Sequence, residues 1–247
     1  MLGLGTNIIK ADLYSSVSYV SLAANFDGTD DFITVPDDNA LSFTSSTGFG
    51  ISVWINLATI DDHGIINKDE EYNLIVNNVA HQFQFEFSVI DDSENESRTG
   101  FSVHPVTAKP TNEWIHIFAE YNTSKLSKVS VNNTTPGLSS TDVDFVELQN
   151  TSGDLLIGKA HDSGIESDSV ANKLITGAIT NLCIYSGILT STEKTDIYNA
   201  GISGNFTDHS NNTVIAYYPL TSDFNDTSGN NHHGSSASGQ APTFTTI

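Results

Sequence analysis

The sequence has few basic residues. Nine lysines and arginines stand against thirty aspartates and glutamates in 247 residues, which gives a formal net charge of −21. A surface so acidic repels phosphate backbones and anionic lipids, so we expect neither nucleic acid nor a membrane as a partner. The sequence also lacks a run of about eighteen apolar residues, the length that a membrane-spanning helix needs.

Cysteine is nearly absent. Cys183 is the only one, so the chain can form no intrachain disulfide. It lies in the apolar run 182–185, with no histidine or other base near it in the sequence. This context predicts a buried structural thiol rather than a nucleophile.

What the sequence does contain is a succession of short β patterns. Runs rich in Val, Ile, Phe, Tyr and Thr alternate with clusters of Gly, Asn, Asp and Ser. The clearest strand covers residues 82–89, where Phe and Val alternate with polar residues. The other predicted strands cover residues 51–55, 63–68, 72–76, 114–121, 129–131, 155–158 and 179–185, and the polar stretches 91–100 and 162–172 are predicted loops.

One segment has a helical pattern. Residues 191–200 begin after a capping Thr190 or Ser191, carry Glu193 in the first turn and end before Gly201. Many short strands with one short helix predict an all-β, two-sheet antiparallel sandwich. We expect residues 1–18 to be an N-terminal arm, a possible anchor, and residues 19–247 to form one domain.

The order of several sequence blocks then suggests a family. The blocks are N-F-D-G-T-D-D-F-I-T-V-P (25–36), G-I-S-V-W-I (50–55), G-I-I-N-K-D (64–69), N-E-W-I-H-I-F-A-E-Y (112–121), G-D-L-L-I-G (153–158) and G-A-I-T-N-L-C-I-Y-S-G-I-L-T-S-T-E (177–193). In this order and spacing they resemble the laminin-G-like, concanavalin A-like jelly-roll family. The resemblance implies a jelly-roll sandwich.

The C-terminal part departs from that family's usual order. A segment like A-Y-Y-P-L-T-S-D-F-N-D-T-S-G-N-N-H-H-G (216–234) precedes the F-D-G block in most relatives, whereas here it follows the helix. Because fewer than thirty residues come after it, we expect residues 214–247 to pack back onto the sandwich, with 214–219 beside its first or last strand. The family's usual acidic pair is replaced by Thr180 and Asn181. The two ends also resemble structural proteins of tailed bacteriophages.

Two acidic turns could hold calcium. Carboxylate and amide oxygens are the ligands that this cation prefers, and it takes six to eight of them. If the turn at residues 27–31 and the turn at residues 223–230 lie together, they could share one ion. The alternative explanation is ordinary turn chemistry, in which Asp and Asn side chains cap their own backbone. The candidate ligands are Asp27, Asp30, Asp31, Asp223, Asp226 and Asn230.

Sugar binding is the second candidate activity, because the family that the chain resembles often binds glycans through aromatic residues. Trp54 and Trp114 lie within strong strand patterns, which favours core packing for both. The remaining candidates for contact with a carbohydrate are Tyr72, His81, Phe101 and Tyr121.

Catalysis has weaker support. Related β-glucanases carry E-x-D-x-x-E on a strand, with carboxylates at the spacing that glycoside cleavage needs. Glu166 and Asp168 give the nearest match, but Ala171 stands where the second glutamate belongs, and the segment is a predicted loop. A hydrolase is therefore disfavoured.

The sequence as a whole predicts a non-enzymatic binding or structural module. The first hypothesis is a virion surface or tail protein of a bacteriophage that binds glycans or other virion proteins, with homo-oligomers as a further option. The alternatives are a free, extracellular bacterial carbohydrate-binding module and a degenerate glycoside hydrolase.

Overall fold

The computed structural model describes residues 22–59, 61–69, 71–77, 82–90, 96–105, 111–124, 126–136, 138–140, 147–160 and 173–247. These residues form two antiparallel β-sheets, one α-helix and two 3-10 helices, which confirms the predicted sandwich class. The predicted arm, residues 1–18, lies outside the described residues. Within the described part, no helix is long and apolar enough to cross a membrane.

Two sheets account for the strands. The first sheet contains β1 (Leu22–Asp27), β3 (Phe49–Leu57), β8 (Trp114–Tyr121), β9 (Ser127–Val131), β13 (Thr176–Ser186), β14 (Val214–Tyr218) and β15 (Thr243–Thr246). The second sheet contains β2 (Ile33–Val35), β4 (His63–Lys68), β5 (Tyr72–Asn77), β6 (Gln82–Ile90), β7 (Glu96–Pro105), β10 (Leu138–Ser140), β11 (Glu147–Leu148) and β12 (Leu155–Ile157). The helix α1 covers Ser191–Ala200, and the 3-10 helices cover Asn39–Leu41 and Phe206–Asp208.

The main core lies between the sheets. Strand alternation sends every second side chain inward, as Ile115, Ile117 and Ala119 of β8 show. The intervening residues of β8 point to the other face, yet Phe118 is buried there too. It belongs to a second apolar cluster that includes Ile197 of α1 and Phe206. The first sheet is therefore covered on both faces in this region.

The helix has the predicted bounds, Ser191–Ala200. Thr190 is the N-cap and accepts a hydrogen bond from the backbone N–H of Glu193, whose carboxylate accepts one from the backbone N–H of Thr190. This capping box satisfies two backbone donors that the helix itself leaves unpaired. At the other end Gly201 has φ 73°, a conformation that glycine adopts without strain.

The cysteine and the first tryptophan are packed into the layer between the first sheet and α1. Cys183 is a free, fully buried thiol, and burial raises its pKa well above the ordinary value. Trp54 is 8% exposed and stacks on Tyr198 of α1 with ring centroids 5.7 Å apart. Trp114, at the start of β8, is half-buried. Core packing, as the sequence predicts, accounts for Cys183 and Trp54.

One loop prediction is wrong. The sequence predicts a loop over residues 91–100, but β7 begins at Glu96, which pairs with Ile90 of β6. The strand-forming signal is missing there because residues 96–100 carry no apolar side chain. Backbone pairing with a neighbouring strand can hold polar residues in a strand without such a pattern.

The C-terminal segment joins the first sheet at two places. Strand β14 is antiparallel to β13, the last strand before the helix, and β15 is antiparallel to β1. Between them, Ser235 exchanges backbone hydrogen bonds of 2.8 Å with Thr34 of β2, in the second sheet. Residues 214–246 thus contact both sheets. The division into an arm and one domain stays a prediction.

A histidine is buried between the first sheet and the helix, where protonation is unfavourable. His116 of β8 is fully buried, lies 3.0 Å from the hydroxyl of Ser52 through Nε2, and packs against Trp54. Burial lowers its pKa to about 3, whereas a histidine in an unfolded chain titrates near about 6.5. Protons therefore bind the unfolded state first as the pH falls.

We predict that the contribution of His116 to the free energy of unfolding is constant above a pH of about 6.5. Below that pH it should fall by about 1.4 kcal/mol per unit until the pH approaches the folded-state pKa. A His116→Gln variant should lack this slope. Urea unfolding of both chains between about pH 7.5 and about pH 4.5 measures the difference. Parallel pH profiles for the two chains would contradict the prediction.

Candidate functional site

The first acidic turn joins the two sheets at one rim of the sandwich. It begins with Asp27 at the end of β1 and ends shortly before β2, and Gly28 has φ 75° within it. Asp27, Asp30 and Asp31 each offer one carboxylate oxygen, and these oxygens all lie within 4.8 Å of one another. The structure therefore brings together three of the six predicted metal ligands.

The turn itself uses part of this oxygen. Oδ1 of Asp27 accepts hydrogen bonds from the backbone N–H groups of Thr29 (2.7 Å) and Asp30 (3.4 Å), and these bonds lower the pKa of Asp27. Oδ2 of Asp31 accepts one from the backbone N–H of Asp27 (3.0 Å). Burial raises the pKa of Asp31, and repulsion from Asp27 and Asp30 adds to the effect. A cation placed here would relieve that repulsion.

Calcium fits this turn only in part. The second carboxylate oxygen of Asp27 and of Asp31, together with Asp30, would supply fewer than the six to eight oxygens that the ion takes. Waters or backbone carbonyls would have to complete the coordination. The donor set suits a weakly held divalent cation at the protein surface.

In the second acidic turn, residues 223–230, the carboxylates accept hydrogen bonds from backbone N–H groups. Oδ1 of Asp226 accepts hydrogen bonds from the backbone N–H groups of Tyr217 (2.9 Å) and Ser228 (2.8 Å), and Oδ2 accepts one from that of His232 (3.0 Å). Burial alone would raise the pKa of Asp226, but these hydrogen bonds together hold it below the ordinary value. The carboxylate therefore fastens the turn to β14.

The other two ligand candidates in that turn also cap backbone groups. The side-chain amide of Asn230 donates to the carbonyls of Val214 (3.1 Å) and Ile215 (2.9 Å), and Oδ1 of Asp223 accepts from the backbone N–H of Asn225 (3.0 Å). The carboxylate cluster at the first turn contains neither Asp223 nor Asp226. The structure thus favours turn capping over one ion shared by both turns.

Two of the predicted sugar contacts are core residues. Tyr72 is 2% exposed and donates a hydrogen bond to the carbonyl of Leu41 (3.0 Å), and Tyr121 is fully buried beside Phe49. Alternation places both rings on the inward faces of their strands, so neither offers a ring face to a ligand. Sequence alone could not distinguish the two faces of these strands.

The other two predicted sugar contacts are less fully described. Phe101 occupies a position in β7 that pairs with Glu86 of β6 and Ser140 of β10, and its side chain lies outside the described part. His81, and Glu166 with Asp168 of the glucanase-like motif, lie outside the described residues altogether.

A groove on the outer face of the first sheet escaped the sequence prediction. Its volume is about 530 Å³, and it lies between β8, β9 and the N-terminal half of α1. Amide and hydroxyl side chains dominate its lining. The lining residues are Glu120, Asn122, Leu126, Lys128, Ser130, Asn133, Thr134, Thr135, Pro136, Ile188, Leu189, Ser191, Lys194 and Thr195.

Hydrogen bonds hold the walls of this groove in place. Glu120 of β8 is 4% exposed, and its Oε1 accepts from the hydroxyl of Tyr185 (3.0 Å) and the backbone N–H of Leu189 (2.9 Å). Its Oε2 accepts from Nζ of Lys194 on the helix (2.5 Å). At the far end, the amide of Asn133 donates to the hydroxyl of Thr195 (3.0 Å). Both contacts tie the helix to the sheet, so the groove is formed before any ligand arrives.

The groove also has an apolar edge. Leu126 is 37% exposed and Ile188 is 39% exposed, and they are the exposed large hydrophobic side chains among the described residues. Both line the groove. Leu126 and Ile188 therefore add two apolar side chains to an otherwise mainly polar lining.

A second cavity, of about 660 Å³, lies near the start of β1 and is lined by Leu22, Ile202 and Pro219 among others. Asn181 borders it, but its side chain is committed to the fold. The amide donates to the carbonyls of Ile202 (2.6 Å) and Gly204 (3.0 Å), and the amide oxygen accepts from the hydroxyl of Tyr217. Asn181, which stands where the family pattern has an acid, therefore stabilises the fold through these hydrogen bonds.

Comparison with protein families identifies the fold. The sequence model of a laminin-G-type family, part of the concanavalin A-like lectin/glucanases superfamily, matches residues 27–193. The chain therefore belongs to this family. A comparison with curated proteins found no match.

Solved structures agree on the fold. A candidate carbohydrate-binding protein from Bacteroides ovatus superposes with a TM-score of 0.61 at 15% identity, covering 92% of this chain and 60% of that chain. The binding domain of botulinum neurotoxin serotype G superposes with a TM-score of 0.52 at 13% identity, covering 74% of this chain and 43% of that chain. At such low identity the likeness shows the fold alone. It confirms the predicted concanavalin A-like jelly roll.

The acidic turn at Asp27 makes calcium binding testable. We predict that calcium raises the midpoint of thermal unfolding, because a ligand that binds only the folded state adds about 2.7 kcal/mol of stability at a hundredfold excess over Kd. The Asp31→Asn variant should lose most of this shift. Asp196→Asn, an equal charge change on the exposed side of α1, should retain it. An equal shift for both variants, or none for the native chain, would contradict a site at this turn.

Proposed function

We propose that this protein is a non-enzymatic glycan-binding module and that the groove between β8, β9 and α1 holds its ligand. The observation that carries the proposal is the preformed groove itself, of about 530 Å³, with polar walls and an apolar edge. Ligand sites are concave, largely preformed and supplied with a few convergent polar groups.

The chemistry of the lining matches that of a sugar ring. A pyranose presents hydroxyl groups around its rim and C–H bonds on its faces. The side-chain NH2 of Asn122, the amide oxygen of Asn133 and the hydroxyl of Ser191 can meet the hydroxyl groups of a sugar. The hydroxyl of Thr134 already donates to the carbonyl of Val131 (2.6 Å), and Ser130 is only 3% exposed. Leu126 and Ile188 offer apolar contact to a ring face.

The same lining argues against hydrolysis in the groove. Glycoside hydrolases generally need two carboxyl groups beside the scissile bond, one acting as an acid and the other as a base or nucleophile. Glu120 is the one carboxylate among the lining residues, and it is buried and bound to Tyr185, Leu189 and Lys194. Because its oxygens already accept these hydrogen bonds, the Glu120 carboxylate stabilises the fold rather than acting on a substrate.

Two further observations support a binding role. The family to which the chain belongs contains lectins as well as glucanases. The Bacteroides ovatus structure that covers most of this chain is described as carbohydrate-binding, although this chain spans only 60% of it. A virion surface, the predicted location, and an extracellular bacterial setting are both compatible with a glycan-binding groove, and each stays a proposal.

A glycan array probed with the purified chain tests the function. We expect binding to a restricted set of saccharides, and loss of that binding in the double variant Leu126→Ser/Ile188→Ser. Because both side chains are more than a third exposed, the double variant should remain folded, with a change in the free energy of unfolding of about 1 kcal/mol or less.

The Ile202→Ser variant, altered at the second cavity, is the matched control and should bind as the native chain does. Failure of the folded native chain to bind any saccharide would refute the function. Binding that survives the double variant but not Ile202→Ser would move the site to the second cavity.

A further inference from the structure

The groove has a charge opposite in sign to that of the protein around it. The chain carries nine lysines and arginines against thirty acids, yet the lining of this groove contains two lysines, Lys128 and Lys194, and a single acid, Glu120. Two of the nine basic residues of the chain therefore line the same groove as the polar side chains and Leu126 and Ile188.

The two lysines differ in what they leave for a ligand. Lys194 is only 15% exposed at its side chain and neutralises Glu120, while its ammonium group carries three donors and can serve more than one acceptor. Lys128 of β9 is exposed and pairs in backbone register with Glu120. Among the described residues Lys128 makes no ion pair, so its charge is available at the groove.

We infer that the ligand of this groove is an acidic saccharide, whose carboxylate binds at Lys128 beside the Lys194–Glu120 pair. The inference rests on the proposed glycan-binding function and specifies its substrate class. A carboxylate paired with an ammonium group gains a charge-assisted hydrogen bond, roughly twice as strong as a neutral one. The sugar hydroxyls then face the amides and hydroxyls of the wall, and the ring lies against Leu126 and Ile188.

The overall charge of the protein sharpens this expectation. A net charge of −21 repels an anionic ligand at long range, so an anion gains nothing from the protein as a whole. Any preference for an acidic sugar must come from local contacts. One exposed lysine therefore decides most of the discrimination, and its removal should leave a groove that treats acidic and neutral sugars alike or disfavours the acidic ones.

The test compares acidic saccharides with their carboxyl-reduced counterparts, using the full chain. Oligomers of galacturonate, of alginate and of hyaluronan, and sialyllactose, are each measured by calorimetry beside the reduced, uncharged form. We expect at least one acidic member to bind about tenfold more tightly than its reduced form. Lys128→Gln should abolish this preference and Lys128→Arg should retain it.

Lys173→Gln is the matched control, because it removes the same charge from an exposed lysine outside the groove, and it should leave the preference intact. Lys194 is left unchanged because its loss would strand the buried charge of Glu120 and destabilise the fold.

Three outcomes would overturn the inference. Reduced and acidic forms could bind equally, Lys128→Gln could keep the full preference, or a short polyglutamate peptide could bind as tightly as the best acidic saccharide. The first two leave the glycan-binding function standing, because a saccharide still binds. Absence of binding to every saccharide on the array and in the calorimeter would refute the inference and the function together.

Discussion

The sandwich depends on one long strand, β13, which pairs with two different strands, β1 and β14, along the same edge. On one side β13 pairs with β3 along most of its length. On the other side its first half pairs with β1 and its second half with β14, so the N-terminal and C-terminal parts of the chain meet on the same strand. Asn181 lies at the junction with φ 48°, and its side chain binds both the segment after the helix and Tyr217 of β14.

The C-terminal segment is therefore part of the main core rather than an appendage. Ala216, Tyr218 and Leu220 are buried in the cluster between the sheets, and the Asp226 carboxylate fastens the following turn to Tyr217. Burying one large apolar side chain is worth about 1.5–3 kcal/mol, and a typical domain is stable by about 5–15 kcal/mol in total. Loss of this segment would remove a large share of that margin.

The shape of the groove also depends on the pairing of β14 with β13, because this pairing positions helix α1. Helix α1 lies on the outer face of the first sheet because Ile197 packs in the second cluster with Cys183 and with Tyr217 of the C-terminal strand. The helix then presents Lys194 to Glu120 of β8, which forms one wall of the groove. If the C-terminal strand did not pair with β13, the helix would lose part of the surface that positions it.

Strands and the helix can be predicted from the sequence more completely than the contacts between them. Alternating Phe and Val residues mark β6, and the capping residues Thr190 and Glu193 mark the start of α1, because both signals are local. The start of β7 has no such signal, since pairing with β6 holds its polar residues in place. The groove could not be found, because Lys128 and Lys194 are distant in sequence and only the packing of the helix on the sheet brings them together. The prediction that Tyr72 and Tyr121 contact a sugar fails for a related reason. Alternation separates the two faces of a strand, but only the opposing sheet decides which face is buried.

The residues after the helix complete the fold, since they pair with β13 and β1 and fill part of the core. The most direct test of this is chemical unfolding of the full chain beside a chain that ends at Gly201, followed by tyrosine and tryptophan fluorescence. The shortened chain should lose the cooperative transition of the full chain or unfold at a far lower denaturant concentration. A shortened chain that is equally soluble and unfolds with the same midpoint and slope would contradict this.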